Sequence, residues 1–512
     1  MPHRLYEPHI VELPPLKLAF WRYFEIFRDR PYAFLLDSAL ESPGQGRYSF
    51  MGADPFLVFQ AKRRKTRTPS PLADCTTIEF YDAYGSKRGT PKVTKRRQDP
   101  FAVLRRLFDA YRLGAAAGAV QPVPFLSGAV GYFGYETGHL LEDFPDTAAD
   151  ELALPDIYLA FYHRVFAHCH ATGKTFLSAR TFGGAERHVR FSTSAHHLLA
   201  VAQIKAFQES AQVGPYPHPL SQRNRGGQAV AVESHFDESS YSRAVQTVKD
   251  HIAAGDVYQV CLTHRLEAPL VGGTAWDLYR ELRAINPAPF ASYLKFPKVE
   301  VVSSSPERFL KLDAAGVAES RPIKGTRPRG GTPAEDERLR RELQNSPKDR
   351  AENVMIVDLV RNDFGRVCSY RSVQVPDFLA IEPYATVFQM VSTVQGRLAP
   401  GRDRFDLIRA CFPGGSMTGA PKIEAMKIID RLEPVARGIY SGAIGYLGFG
   451  GRMDLSMAIR TILVKDHRCY FHVGGGIVAD SDPAAEYRET QDKARALLAA
   501  LLNLKAGKSS EY

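Results

Sequence analysis

The stretch "SRPIKGTRPRGG", residues 320–331, holds Lys324 between Pro322 and Gly325, where the backbone has little freedom. A lysine that only needs solvation belongs on a mobile surface. One framed in this way is aimed. A second set of chemical groups lies in "SDPAAEYRETQDKARALLAALLNL", where Glu486, Glu489 and Lys493 fall at i, i+3 and i+7 and share one helix face. Such charges often serve only solubility. Here the preceding "HVGGGIVADSDP" brings backbone N–H groups close to the helix start, an environment suited to an anion. Glu352 lies on the stripe of Met355, Ile356 and Leu359, and a carboxylate on a buried face must be paired or bind a metal. Carboxylates from different helices, with no His or Cys nearby in sequence, suit a hard cation such as Mg²⁺, its shell completed by waters and ligand oxygens. Arg460 in "MAIRT" is expected within an apolar strand, where facing inward requires an anionic partner. "FPGGSMTGAPK" resembles a phosphate-binding loop but lacks GxxxxGK(S/T), so a carboxylate is at least as good an occupant.

Three helices and several strands must position these groups. Ser346 can cap a helix that has Pro347 at its first position and carries Glu352. A second helix starts at Pro421 after the Gly-rich turn, and a third at Pro483 behind Asp482. A helix starting near Ser239 closes at Gly255 and leads into the strand "DVYQVCLTHRLEA". "GIYSGAIGYLGFGG", "MDLSMAIRTILV" and "CYFHVGGGIVADSD" read as strands. In the first half, short apolar runs such as "YAFLLDSAL" and "PFLVFQA" alternate with turn residues, and "YLAFYHRVFAHCHATGKTFLSAR" reads as two strands joined at Ala171–Gly173. The segment 216–232 is polar and rich in Pro and Gly, the best linker between an N-terminal portion, 1–215, and a second portion, 233–505. No repeat of 20–50 residues is visible.

Composition fits a globular protein, with 44% hydrophobic and 24% charged residues. No apolar run approaches the roughly 18 residues needed to span a bilayer, and the start has no signal-peptide character, so a cytoplasmic setting is expected. Six cysteines lie far apart without a CxxC pair, which argues against a zinc knuckle or a disulfide framework. The net charge is +10, yet residues 61–98 hold eleven Lys/Arg against Asp74, Glu79 and Asp82, so +8 of it sits in one segment. That segment reads as basic loops around the short strand "TTIEFYDAY": a solvated surface, or else the face of an anionic partner. With the rest of the chain near neutral, no nucleic-acid partner is expected.

Eight motifs in order, "SSPERFL", "RPIKGTRPRG", "ENVMIVDLVRND", "FPGGSMTGAPK", "SGAIGYLG", "MAIRT", "VGGGIVADSDP" and "EYRETQDKA", resemble the chorismate-utilising enzymes. That family includes anthranilate synthase component I, aminodeoxychorismate synthase component I and the isochorismate and salicylate synthases. The likeness covers roughly residues 230–500 and extends more weakly to "LLDSALESPGQGRYSFMGADP". It implies an α+β fold, with large antiparallel sheets in a sandwich-like core, helices outside, and the N- and C-terminal portions intertwined. It also implies chorismate as substrate, Mg²⁺ as cofactor, and a glutamine amidotransferase partner that supplies ammonia. Gln259 stands where the water-adding members carry a lysine base, and a glutamine cannot deprotonate water, so the amine-adding branch is favoured. "PIKGT" and "NPAPFASYL" resemble aminodeoxychorismate synthase more than anthranilate synthase.

By matching positions, the resemblance implies that Lys324 is a covalent nucleophile at C2 of chorismate. The lysine must be neutral to attack, which burial or a neighbouring cation such as Arg327 would favour. Glu307 is implied as general acid. Glu352 and Glu489 would hold Mg²⁺ on the ring carboxylate, with Glu486 nearby. Arg460, Tyr446, Lys493 and the backbone of Gly475 and Gly476 would hold substrate carboxylates, while Thr418 and Gln259 line the pocket. Two departures stand out: Gln389 replaces a histidine common in relatives, and the inhibitor-binding LLES appears as Leu35-Leu36-Asp37-Ser38. An anthranilate synthase remains the nearest alternative, and a non-catalytic nucleic-acid- or partner-binding protein using residues 61–98 the alternative of another class.

Overall fold

The computed structural model describes residues 8–40, 45–65, 70–81, 87–113, 121–180, 201–209, 231–384 and 387–507. The expected linker, 216–232, lies outside them except for its last two residues. No described helix is long and apolar enough to cross a membrane.

The first half contributes β1 (His9–Glu12), β2 (Phe34–Asp37), β3 (Tyr48–Gly52), β4 (Leu57–Arg63), β5 (Ala73–Tyr81), β6 (Lys87–Gln98), β7 (Gly128–Phe133), β8 (Ile157–Tyr162), β9 (Arg164–Cys169) and β10 (Lys174–Ala179). Helix α1 (Pro100–Ala110) and helix α2 (201–209) accompany them. The second half opens with β11 (Glu233–Ser234), α3 (Glu238–Ala253), β12 (Gln259–Pro269), α4 (Ala275–Ile285), β13 (Phe290–Phe296), β14 (Val299–Ser305), β15 (Arg308–Leu312) and β16 (Val317–Ser320). Then come β17 (Ile323–Pro328), α5 (Pro333–Asn345), α6 (Pro347–Gly365), β18 (Gln374–Pro383), β19 (Val387–Arg397), α7 (Arg404–Cys411), β20 (Gly419–Ala420) and α8 (Lys422–Leu432). The chain closes with β21 (Ala443–Gly448), β22 (Met453–Met457), β23 (Thr461–Lys465), β24 (Arg468–Ile477) and α9 (Pro483–Gly507).

These strands form two 12-stranded sheets in which every strand pairing among the described residues is antiparallel. One runs β1-β10-β9-β3-β2-β13-β14-β23-β24-β12-β11, the other β17-β19-β16-β15-β22-β21-β7-β8-β4-β5-β6. Each half supplies part of both sheets, so the halves interleave as expected. The order also repeats. Reading outward from the β2·β13 contact in the first sheet and the β7·β21 contact in the second, each N-terminal strand has a C-terminal counterpart in the same place. The repeat spans half the chain, which is why no short period is visible in the sequence.

Between the sheets, aromatic and β-branched residues from both, among them Phe34, Val58, Tyr132, Val301, Ile444 and Leu463, form one buried cluster. The outer faces are covered by helices: α4 and α9 on the first sheet, with Trp276, Leu282, Leu497 and Leu501 in its core; α1 and α7 on the second, with Phe101, Leu104, Phe405 and Leu407. This is the expected α+β sandwich.

The local readings hold at the helix starts. Ser346 accepts a hydrogen bond from the Asp349 N–H with Pro347 at the first turn, and Asp237 caps α3. Three readings are corrected. The basic segment 61–98 is mainly strand, because β4 pairs with β5 and β5 with β6, the latter with one register shift between Glu79 and Tyr81, which places the Lys/Arg-rich β6 at the sheet edge, where charge blocks further strand addition. "YLAFYHRVFAHCHATGKTFLSAR" is three strands: the chain leaves one sheet at Tyr162 and enters the other at Arg164. "MDLSMAIRTILV" is likewise two strands from different sheets. Arg460 lies in the break between them with φ +51°, not within a strand.

Candidate active site

Lys324 is held by a bulge. Strand β17 pairs with β19 with a register shift between Ile323 and Thr326, and Gly325 inside that shift has φ +79°. A side chain on Gly325 would meet Leu343 Cδ1 and Asp349 Cγ at 2.8 Å, so glycine is required twice over. The bulge turns Lys324 towards Glu307, Glu352 and Glu489, all of whose carboxyls feel its charge. Arg327, expected as the neighbouring cation, is instead committed to Glu342 at 2.8 Å and Asp349 at 3.1 Å, because the bulge sends it to the α5–α6 side.

Glu307 lies in the short passage from β14 to β15, where the chain crosses between sheets. It is buried, and its carboxyl is pushed up to about 7: burial raises it, and Lys324 and a hydrogen bond from Ser416 offset only part of that. Arg460 occupies the neighbouring crossing from β22 to β23. The two crossings are tied together by Met457 N–H donating to the Glu307 carbonyl and Ser304 N–H donating to the Arg460 carbonyl, both at 3.0 Å. Arg460 donates one hydrogen bond to the Lys493 carbonyl at 2.8 Å and has no carboxylate within ion-pair distance among the described residues. Burial lowers its pKa, opposed by Tyr440 and Glu489. A half-buried guanidinium so placed can receive an anion.

The carboxylates come from two helices. Glu352 on α6 is raised by burial, against the pull of Lys324 and Lys348. Glu486 on α9 is also raised by burial, while the Ser481 hydroxyl donates to it at 2.7 Å. For Glu489, burial acts upwards but Lys493, 2.7 Å away, outweighs it and holds the carboxyl below its ordinary value. Lys493 also donates to the Gly474 carbonyl at 2.7 Å. Gly475 on β24 faces this group: an added Cβ would lie 2.9 Å from Glu486 Oε2, 3.8 Å from Glu489 Oε1 and 3.9 Å from Lys493 Nζ. The missing side chain leaves a cradle among two carboxylates and an ammonium. Glu352, Glu486 and Glu489 do not converge within 4.8 Å, as the described clusters His139–Asp146–Asp430 and Glu151–His235–Glu267 do. Three spaced hard-oxygen donors beside an open cradle fit a cation that shares its shell with a ligand carboxylate.

Gln259 opens β12, 1% exposed, with its Oε1 lacking any hydrogen-bond partner and its Nε2 2.1 Å from where a Gly476 Cβ would stand. An orphaned buried acceptor at this spot suits a ligand N–H. Thr418 is fully buried near the start of β12 through the Thr418 carbonyl, which accepts from Cys261 N–H at 2.8 Å. Its hydroxyl donates to the Gly414 carbonyl at 3.2 Å, so it shapes the loop.

Tyr446 is not with this group. It stacks on Phe125 and lines a cavity of about 570 Å³, together with Leu36, Asp37, Ser38, Tyr48 and Arg308. That cavity is lined by residues of both halves and by neither Lys324 nor the carboxylates around it. The stretch Leu35–Ser38 reaches it through Leu36, Asp37 and Ser38. The tyrosine near Arg460 is Tyr440, stacked on His472 at 5.0 Å. An even spacing of six in one strand would put both tyrosines on one face, but β21 starts only at Ala443 and Ser441, at φ +63°, turns the chain between them. Lys348 was also missed in the sequence, although its i, i+4 spacing to Glu352 is legible there.

The chain matches the family of chorismate binding enzymes over residues 47–499. It is 41% identical over 511 residues to an aminodeoxychorismate synthase of Streptomyces pristinaespiralis, covering 98% of this chain and 66% of that protein, so it spans about two thirds of that relative's length. It is 36% identical to an anthranilate synthase component 1 of Geobacillus stearothermophilus, covering 91% of this chain and 88% of the relative. The crystal structure of anthranilate synthase component I from Streptococcus pneumoniae superposes with a TM-score of 0.68 at 28% identity, covering 90% of this chain and 93% of that one. With matching motifs, fold and a site that gathers acids, an aimed lysine and an anion-receiving arginine, the chain belongs to the chorismate-binding enzymes.

Proposed function

We propose that the chain aminates chorismate to 4-amino-4-deoxychorismate, using ammonia supplied by a glutamine amidotransferase partner. The observation that carries this reading is the bulge that turns Lys324 onto Glu307, the one buried acid pushed up to about 7 beside it. The amine of Lys324 attacks C2, the C1=C2 and C5=C6 double bonds shift to C1=C6 and C4=C5, and the 4-hydroxyl departs as water with the proton of Glu307. Ammonia then adds at C4, the double bonds shift back, and Lys324 is expelled, with its proton balance restored through Glu307. Two displacements on opposite senses return the amine to the place of the hydroxyl. The acid that would protonate the departing hydroxyl and the amine that would attack thus belong to one group of residues. Gln259 Oε1 is positioned to accept an N–H of the incoming ammonia, and Arg460 receives a substrate carboxylate.

Glu352, Glu486 and Glu489 would hold Mg²⁺, which neutralises charge on the ring carboxylate. The 41% likeness to an aminodeoxychorismate synthase supports this branch over the 2-amination of an anthranilate synthase, to which the chain is 36% identical. The test is Lys324→Ala beside Lys324→Arg, assayed with chorismate, Mg²⁺ and ammonium. Both variants are expected to lose at least a thousandfold in kcat, since a guanidinium stays protonated. Intact mass of the wild type quenched without ammonium is expected to show an adduct absent from Lys324→Ala. An active Arg variant with no adduct leaves Lys324 as a carboxylate contact, and a fluorescent anthranilate product assigns the other branch.

A further inference from the structure

Lys348 is the second residue of α6, in its first turn. Two local rules disfavour a lysine there. The helix N-terminus carries the positive end of the macrodipole, and Lys preceding Glu at i, i+4 is the weaker order of that pair. Its position is explained by what it bridges. Lys348 Nζ lies 3.9 Å from Glu352 Oε1 on its own helix and 3.9 Å from Glu486 Oε1 on α9. Its charge also reaches Glu489. One ammonium is thus shared by all three acids assigned to the cation. Lys493 is fixed on Glu489 and the Gly474 carbonyl, whereas the Lys348 side chain is 55% exposed and has room to leave.

We propose that Lys348 is a built-in competitor for the divalent cation, bridging Glu352 and Glu486 until the cation displaces it; this rests on the cation site proposed above. At formal charges Glu352, Glu486 and Glu489 are balanced by Lys348, Lys493 and Arg460, while Lys324 and Glu307 cancel each other. A divalent cation entering that balanced group leaves two positive charges over, and a doubly negative substrate cancels them. The cation and the anionic substrate therefore bind as a pair, and the cation alone binds weakly. Removing Lys348 leaves one uncompensated negative charge and frees the cation from waiting for substrate.

The test is binding of Mn²⁺ alone, read from the electron paramagnetic resonance signal of the free ion, to the full chain as wild type, Lys348→Gln, Lys348→Met and Glu352→Gln. Thermal unfolding checks that each variant is folded, and the two neutral variants guard against one failing. At least tenfold tighter Mn²⁺ binding in Lys348→Gln or Lys348→Met is expected, with that gain lost when Glu352→Gln is added. Equal or weaker binding in both, with Glu352→Gln still abolishing wild-type binding, overturns the competitor role and leaves the cation site standing. Mn²⁺ binding that is undetectable in every protein, or indifferent to Glu352, removes the cation site and the competitor with it.

Discussion

Glu307→Gln separates what Glu307 does for chemistry from what it costs the fold. The folded carboxyl is pushed from its ordinary 4.5 to about 7, with burial the largest cause. At 1.36 kcal/mol per unit this corresponds to about 3 kcal/mol. Below pH 4.5 the carboxyl is protonated in both folded and unfolded chains, so that stability is fully present. Between 4.5 and 7 the unfolded chain has released its proton while the folded chain keeps it, and stability falls as pH rises; above about 7 the loss is complete. About 2 kcal/mol of it lies between pH 5.5 and 8. A glutamine has no such proton. Relative to wild type, Glu307→Gln is therefore expected to gain about 2 kcal/mol between those two pH values, whatever constant offset its amide introduces. Urea unfolding of both proteins at pH 5.5 and 8, compared as a double difference, reads this directly. The same group as general acid makes wild-type kcat decline above about pH 7, while Glu307→Gln is expected to be inactive throughout. A double difference near zero would falsify the buried, proton-holding state of Glu307, and with it the general-acid role proposed for it.

Gly475→Ala is expected to fold normally, since its backbone is extended, yet lose at least a hundredfold in kcat/KM, because the methyl fills the cradle 2.9 Å from Glu486 Oε2; steady-state kinetics beside a melting curve decides it. All six cysteines are buried, so the chain offers no exposed thiol for glutamine hydrolysis. With purified chain, ammonium is expected to support turnover and glutamine is not; glutamine-driven product from this chain alone contradicts the partner assignment.

The sequence makes the types of the site groups legible more readily than their places. Glu352, Glu486, Glu489 and Lys493 can be read because helical spacing is a local property, and their helices start at caps that are local too. The aim of Lys324 is legible from Pro322 and Gly325, since a bulge needs a residue tolerant of positive φ. Arg460 is read into a strand because an apolar alternating run looks like one strand, whereas the chain crosses between sheets at Ala458–Arg460. Tyr446 comes from matching positions alone, and the turn at Ser441 separates it from Tyr440, the tyrosine near Arg460. Nothing in an alternating pattern marks which sheet a strand joins; pairing partners decide it, and those lie far away in sequence. The basic segment failed similarly: its polar edge strand looks like a loop until β5 pairs with it.

The repeated strand order explains where the chemistry sits. Each half contains a two-stranded ribbon that runs through both sheets and bends between them. In the C-terminal half the ribbon is β14–β15 beside β22–β23, bent at Glu307 and Arg460; in the N-terminal half it is β3–β4 beside β9–β8, bent at Asp54 and His163. Each bend has one residue at positive φ, but on different strands of the ribbon: Asp54, at +56°, between β3 and β4, and Arg460, at +51°, between β22 and β23. The bend is thus a structural necessity of passing from one sheet to the other, and it places polar residues where neither sheet's ladder covers them. What differs is what is brought to it. Where the first half has only a five-residue connection from β5 to β6, the second inserts β17, α5, α6 and β18 between β16 and β19. That insertion carries Lys324, Lys348 and Glu352. The long α9 then lays Glu486, Glu489 and Lys493 across the same end of the sheet, while the helix at 201–209 brings nothing comparable. At the N-terminal bend Asp54 is spent on Arg30 and Arg164, a structural use of the same position. Two equivalent bends therefore end in different surroundings: one is closed by its own ion pairs, and the other leaves Arg460 without a carboxylate partner among the described residues and Glu307 with a raised pKa, beside the acids and lysines that the insertion and α9 bring.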